Sequence, residues 1–409
     1  MSRAIMVLRG ARIQDDAARP PEYRDILIDD AGRIARLLPS GSDAPSVPVV
    51  DLTGKLIVPG LVDAHQHLDK SRTLDAVPNP EGTLPGAIAA FRDYASTMTR
   101  EDIAARAERT MQASLARGTI AIRSHVNVDA ETRNRGIEAM VAVRERWRDR
   151  MQLQIVAFLT GSGARSAEAS GWLAAALDAG ADVIGGAPAI AADPDTFLDM
   201  LFGAAERTGR PIDLHLDEHL DVNSLHFEGV IERTRALGMQ GRVVASHCSA
   251  LSALPPDTAK RLIDGFASAG IGVVTLPAAN LFLQGRDAIQ LTPRGLTRVN
   301  ELAAAGVEVA CASDNIRDPF VPTGSGDMLE IARWTLLAAH FASTELGRAF
   351  TMASSLPARL LGVDGDYGLR ENARADFLIT DAEDIADLVA GGALQRTVMV
   401  GGRIVAGRL

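Results

Sequence analysis

Surplus positive charge is the first thing this chain lacks: 42 lysines and arginines stand against 52 aspartates and glutamates, for a net charge of −10 at pH 7. With no basic excess to displace counterions, binding to a nucleic-acid backbone is excluded as a function class. The one dense basic run, Arg144-Glu145-Arg146-Trp147-Arg148-Asp149-Arg150, interleaves acids at helical spacing and reads as a solvated helix face. Long apolar runs are also missing. None approaches the roughly 18 residues needed to cross a bilayer, so no membrane partner is expected. The amino terminus has no extended apolar core after a basic start, so the expected location is the cytoplasm. Cys248 and Cys311 are the only two cysteines. They build no disulfide framework, and both adjoin strand ends where small apolar packing accounts for them. Neither an internal repeat nor a low-complexity linker occurs. A 47% hydrophobic content over 409 residues suits one large globular domain with an accessory, and leaves a homo-oligomer open.

Histidine is scarce as well, and its placement is the strongest signal in the chain. Of eight histidines, five recur at the ends of apolar, strand-like runs. His65-Gln66-His67 follows Leu56-Ile57-Val58-Pro59-Gly60-Leu61-Val62 directly. In extended chain, residues i and i+2 share a face, so one strand end aims both imidazoles at one point.

Seven further runs read as short buried strands: Ile120 to His125, Gln152 to Phe158, Asp182 to Gly186, Ile212 to His215, Arg242 to His247, Ile271 to Leu276 and Val307 to Asp314. Helical patterns lie between them, at Glu101 to Arg117, Arg135 to Arg148, Glu168 to Ala179, Pro194 to Thr208, Leu225 to Leu237, Asp257 to Ala269 and Thr297 to Ala305; Ile331 to Leu346 reads as the helix after the eighth strand. Strict alternation argues a parallel sheet with crossover helices. No glycine-rich dinucleotide turn follows any strand, which weakens the open doubly wound sheet, and eight units fit an α/β fold of the (β/α)8, TIM-type barrel. The barrel is expected over residues 58–365. The two ends, 1–57 and 366–409, carry short strands such as Ile5 to Arg9, Asp25 to Asp30 and Ala375 to Ile379. They also hold a hairpin pattern across Gly401-Gly402. Each end is too short for a core of its own, so together they are expected to form one small β-sandwich.

Active sites of such barrels lie at the carboxyl ends of the strands. His65, His67, His125, His215, His247 and Asp314 all fall there. Singly each reads as a satisfied loop residue, and His125 is best read so; jointly they mark a site. His65, His67 and His215 with Asp314 are a donor set suited to one divalent ion, Zn²⁺ or Fe²⁺. Such an ion brings its water toward a pKa of about 7. Glu218, three residues after His215, sits where it can move protons without ligating, and His247 is placed to hydrogen-bond the attacking oxygen. The plain alternative for Asp217 or Glu218 is a helix cap, and His219 reads as solvent-facing.

At this point the residues resemble a known family. Gly60-Leu61-Val62-Asp63-Ala64-His65-Gln66-His67-Leu68-Asp69-Lys70, followed in order by His215, His247 and Asp314, is similar to the amidohydrolase superfamily, in its cytosine deaminase-like branch. Cys311 to Asp318 with Gly326-Asp327-Met328 also resembles the N-isopropylammelide isopropylaminohydrolases of triazine breakdown. The resemblance implies one metal on His65, His67, His215 and Asp314. It also implies Glu218 as proton shuttle and His247 as the residue orienting water and substrate. No lysine closes Val183-Ile184-Gly185-Gly186, so a two-metal, carbamylated-lysine site is not expected. Four substrate contacts follow from the same likeness: Leu84 through its backbone, Thr160 where cytosine deaminases carry glutamine, Asn315 where they carry aspartate, and Phe320 in place of a pocket tryptophan. A short Thr160 cannot make a two-point amide contact, which argues against cytosine itself. The expected activity is metal-dependent hydrolytic removal of an exocyclic amine from a small pyrimidine, pterin or triazine. Two alternatives stand beside it: release of an N-alkylamine, and a catalytically silent metal-binding barrel. Glu218 and His247 weigh against silence, because bare metal binding needs neither.

Overall fold

Gly60 splits the apolar run before His65 into two strands that serve different sheets. In this computed structural model, which describes residues 3–43, 46–392 and 395–409, Leu56–Pro59 pairs with Ala4–Ile13 and Phe377–Thr380. Leu61–Gln66 instead pairs with Thr119–Val128. The run read from sequence as a single barrel strand is therefore a strand, a hinge and a second strand. Glycine is required at the hinge, because a Cβ on Gly60 would come within 2.7 Å of the Ile120 side chain.

The barrel proper has eight parallel strands. They are Leu61–Gln66, Thr119–Val128, Gln152–Leu159, Val183–Gly186, Ile212–Leu216, Val243–His247, Gly272–Thr275 and Val309–Cys311, in that spatial order. It closes where Asp314, just past the eighth strand, bridges Gln66 in parallel and donates its N–H to the His65 carbonyl at 2.9 Å. That last contact brings the end of the first strand against the end of the last. Each strand is buried along its length, as a sheet covered outside by helices and filled inside by side chains must be.

The helices follow their local signals. Thr99 caps Arg100–Leu115 by accepting from Asp102 N–H, and Asp193 caps Pro194–Thr208 by accepting from Thr196 N–H, with proline at the first helical position. Pro256–Ser268 buries Ala259, Leu262, Ile263 and Phe266 at helical spacing. Each of the larger of these side chains is worth roughly 1.5–3 kcal/mol of apolar burial. One expected helix is broken. Ile331 to Leu346 stays helical only as far as Ala338, the end of Met328–Ala338, and Leu346 begins a separate helix, Leu346–Met352. The first ends in a Schellman motif, with His340 left-handed at φ 54° and Phe341 N–H returning to the Leu336 carbonyl at 2.9 Å. An extra helix, Leu84–Ala95, sits in the long connection after the first barrel strand and reaches over its mouth.

Both chain ends build a second β unit, an eight-stranded sheet in which Leu56–Pro59 joins Ala4–Ile13 on one side to the carboxyl-terminal strand Phe377–Thr380 on the other. It encloses its own apolar cluster, including Leu8, Ile26, Ile28, Phe377 and Met399. The expected hairpin pairs Arg396–Val400 with Arg403–Ala406, and Gly401 and Gly402 take φ of 55° and 70°, the pair of positive angles a type I′ turn needs. Among the described residues no helix is long and apolar enough to cross a membrane.

Candidate metal and catalytic site

Three of the residues that shape the barrel mouth are held in left-handed backbone conformation. Asp217, His247 and Asp314 have φ of 49°, 65° and 60°. For non-glycine residues this costs about 1–3 kcal/mol each, and it persists because neighbours overdetermine it. Cys248 N–H donates to the Leu216 carbonyl, Ala250 N–H to the Asp217 carbonyl and Asp314 N–H to the His65 carbonyl. These bonds tie the loops after the fifth, sixth and eighth strands to their neighbours and set where the side chains point.

The hydrogen bonds behind the imidazoles decide which ring nitrogens are bare. His67 Nδ1 donates to the His125 carbonyl oxygen at 3.0 Å, leaving Nε2 with a lone pair. Ser246 spends its only hydrogen on Asp213 Oδ1 at 3.1 Å, so at 2.9 Å it accepts from His65 Nδ1 and leaves His65 Nε2 bare as well. From those bare atoms, His67 Nε2 stands 3.1 Å from His215 Nε2 and 3.4 Å from Asp314 Oδ1, and His65 Nε2 stands 3.7 Å from the same oxygen. Donors at 2.0–2.2 Å around a tetrahedral ion lie about 3.3–3.6 Å apart, so these spacings are close to the edges of a coordination shell. His65 Nε2 and Asp314 Oδ1 are buried and have no hydrogen-bond partner among the described residues. Two such unpartnered acceptors facing one point are costly in a dry interior unless a cation takes them. The donor set thus fits a divalent metal.

Electrostatics point the same way. Burial first, then the repulsion a charged ring would meet from the clustered imidazoles and, for His67 and His215, from Lys70, holds His65, His67 and His215 well below the ordinary imidazole pKa, so all three are neutral and competent to ligate. Burial brings His247 down to about 4, against the opposing pull of Asp314. Glu218 moves the other way: burial, reinforced by the Asp314 charge, pushes its carboxyl well above the usual range. Glu218 Oε1 lies 3.5 Å from His247 Nδ1, and His247 Nε2 lies 3.9 Å from Asp314 Oδ2. Asp314 accordingly turns one oxygen toward the imidazole donors and the other toward His247.

His125 sits beneath this layer. It stacks on His65 with ring centroids 3.8 Å apart, and its Nε2 stands 3.3 Å from Asp213, which is itself paired with Arg123 at 2.8 Å. Asp217 serves the loop, accepting from His226 N–H at 2.9 Å and from His226 Nδ1 at 2.6 Å just before the helix Phe227–Ala236. His219 does not face solvent as its sequence context suggested. Its side chain is only 27% exposed and it lines the mouth.

Above the donor set opens a cavity of about 630 Å³. His67, His215, His247, Glu218 and Asp314 reach it, and so do Leu84, Thr160, Asn315 and Phe320, whereas His65 lies one layer deeper. Asn315 Nδ2 donates to Asp318 Oδ2 at 2.7 Å, which orients its amide. Phe158 is a wall that the sequence reading passed over. It stacks on His215 at 4.1 Å, and the two-residue period from Gln154 through Val156 marks it as inward-facing. Lys70 and Asn127 also line the cavity unforeseen.

Known proteins share this architecture. The sequence pattern of the Amidohydrolase family matches residues 72–406. Pterin deaminase of Rhizobium rhizogenes is 32% identical across 93% of this chain and 87% of its own length. The crystal structure of 5-methylcytosine deaminase from Klebsiella pneumoniae superposes with a TM-score of 0.92 at 30% identity, over 99% of this chain and 98% of that one. N-isopropylammelide isopropylaminohydrolase from Burkholderia multivorans does so with a TM-score of 0.84 at 33% identity, over 99% of both chains. The chain belongs to the amidohydrolase family and is a hydrolase of carbon–nitrogen bonds other than peptide bonds.

Proposed function

We propose that this enzyme removes an exocyclic amine from a nitrogen heterocycle of the pyrimidine, pterin or triazine class, using one Zn²⁺ or Fe²⁺ ion held by His65, His67, His215 and Asp314. The observation that carries the proposal is the Glu218–His247 pair set against that donor cluster at the floor of one cavity. A divalent ion bound there supplies Lewis acidity that makes water acidic enough to attack at neutral pH. The protein's own groups do the rest. Glu218, whose burial favours the protonated carboxyl, is placed to give its proton to a ring nitrogen and then to carry one to the departing amine. His247, neutral and edge-on to Glu218, holds the attacking oxygen in line. Asp314 Oδ2, on the side away from the other donors, accepts one hydrogen of the attacking water, which passes by way of Glu218 to the departing amine, while the second water hydrogen restores the Glu218 carboxyl. The net change is water in and amine out, with a ring carbonyl left behind.

Support for the substrate class comes from the relatives, two of which are named for deaminating a pterin and 5-methylcytosine. Thr160 in the cavity wall weighs against cytosine itself. A second reading, release of an N-alkylamine, is favoured by the isopropylaminohydrolase likeness and by a cavity with room beside a single ring. The deciding experiment offers aminopyrimidines, pterins and N-alkylaminotriazines to metal-loaded protein and follows ammonia and alkylamine separately. Ammonia from one of these classes is the expected result; release of neither amine from any of them would overturn the proposal.

A further inference from the structure

Lys70 is a buried cation with too few partners. It lies three residues past His67 with 3% of its surface exposed. Its ammonium makes one hydrogen bond among the described residues, to Asn127 Oδ1 at 2.8 Å. No carboxylate lies within ion-pairing distance in that set. Three aromatic faces surround it instead: Phe320 at 5.2 Å, Phe91 at 5.4 Å and Phe158 at 5.9 Å from the ring centroids. Cation–π attraction softens the loss of water but supplies no acceptor for an N–H. An ammonium has three donors, and a desolvated charge is retained only where its hydrogens are used. Here the remaining donors are free to turn into the same cavity that Glu218 and His247 line.

The position is held firmly. Asp69 Oδ2 accepts from the Asn127 N–H at 3.0 Å, and the Asn127 carbonyl accepts from Thr132 Oγ1 at 3.0 Å. The Asn127 backbone is therefore fixed on both sides, its side-chain amide donates through Nδ2 to Asp129 Oδ2 at 3.5 Å, and the phenyl rings leave the ammonium little room to swing away. A site braced in this way suits recognition of one oxygen at one place.

From this geometry we infer that Lys70 reads an acceptor oxygen on the substrate ring, separate from the carbon that loses its amine. This inference rests on the deaminase reading and narrows it: the substrate is an amino-oxo heterocycle, such as an aminopyrimidinone, a pterin or an ammelide-type triazine, and not a ring bearing only amines. The ring lies between Phe158 and Phe320 with its reacting carbon over the donor set and its second oxygen at the Lys70 ammonium.

Binding tests this without turnover. Uracil and lumazine carry two oxygens and no leaving amine; each is titrated calorimetrically against metal-loaded protein beside its mono-oxo counterpart, which keeps the oxygen left by hydrolysis and lacks the other. Wild-type protein should bind at least one dioxo ring about 10- to 100-fold more tightly than its counterpart, and Lys70→Met should erase that difference while metal content stays unchanged. Should Lys70→Met not fold, Lys70→Gln, which keeps one N–H donor, should retain part of the preference. Equal affinity for the paired rings in the wild type, or an unchanged preference in either variant, would overturn the assignment while leaving deamination intact. Amine release from heterocycles with no such preference would do the same, whereas failure both to bind and to turn over any ring would overturn both readings.

Discussion

Glu218 Oε1 and His247 Nδ1 face each other at 3.5 Å, and burial drives them in opposite directions, the carboxyl upward and the imidazole down to about 4. A proton shared by the pair is therefore favoured on Glu218 over His247. That is the arrangement a proton donor to a ring nitrogen requires, and an ordinary exposed glutamate would not provide it.

Replacing Glu218 by glutamine keeps the shape of the side chain and removes the titratable proton. Turnover should drop by about 10²- to 10⁴-fold, or roughly 3 to 5 kcal/mol of barrier, with metal content near wild type. Steady-state kinetics beside elemental analysis reads both. Unchanged turnover in a fully metallated variant would make Glu218 a structural loop residue; loss of metal with activity would make it a ligand.

His67 sends its Nε2 to within 3.4 Å of Asp314 and 3.1 Å of His215. His67→Ala should lose metal and activity together, since an ion left with fewer donors is held poorly. Wild-type protein should contain one metal per chain, and two per active chain would rule out the mononuclear arrangement.

Asp318, close behind Asn315, offers a pH test of stability. Burial pushes its carboxyl up to about 7, although Asn315 and the Val321 and Phe320 N–H groups pull against this. A folded-state pKa above the unfolded value means that folding favours the protonated form. The favourable contribution is complete below the ordinary carboxylate pKa and is lost as pH rises through about 7. Asp318→Asn should flatten the decline in stability between pH 5.5 and 8, seen as a shallower fall in melting temperature, by on the order of 2 kcal/mol. Parallel melting curves for variant and wild type across that range would show that the carboxyl does not titrate there.

Thr160 lines the cavity where a longer amide would read a pyrimidine edge. Cytosine should accordingly show a kcat/KM well below that of a larger or differently substituted amino-heterocycle in a side-by-side panel. Were cytosine the best substrate, Thr160 would not be the discriminating residue.

Much of this molecule was written in local pattern. A strand buried on both faces is largely apolar, and eight such runs alternating with helical periods point to a parallel barrel before any coordinates are known. The same period-2 geometry put His65 and His67 on one face, and the barrel rule gathered His215, His247 and Asp314 at one rim. The hairpin at Gly401-Gly402 was legible because two consecutive positive φ angles demand residues without a Cβ.

What local pattern could not decide depended on residues far apart in the chain. Gly60 became a hinge because Ile120 packs against it, and Leu56–Pro59 left the barrel because Phe377–Thr380 offered it a partner. His340 ended a helix whose hydrophobic period runs on through it. Which nitrogen of His65 is bare depends on a serine 181 positions away, and that serine's hydrogen is committed by Asp213. Nothing local to Lys70 announces the three phenyl rings that surround it in the fold. Backbone period and side-chain polarity travel with the sequence, whereas desolvation, tautomer and charge state are set by whichever atoms the fold brings within a few ångströms, and only tertiary structure decides those.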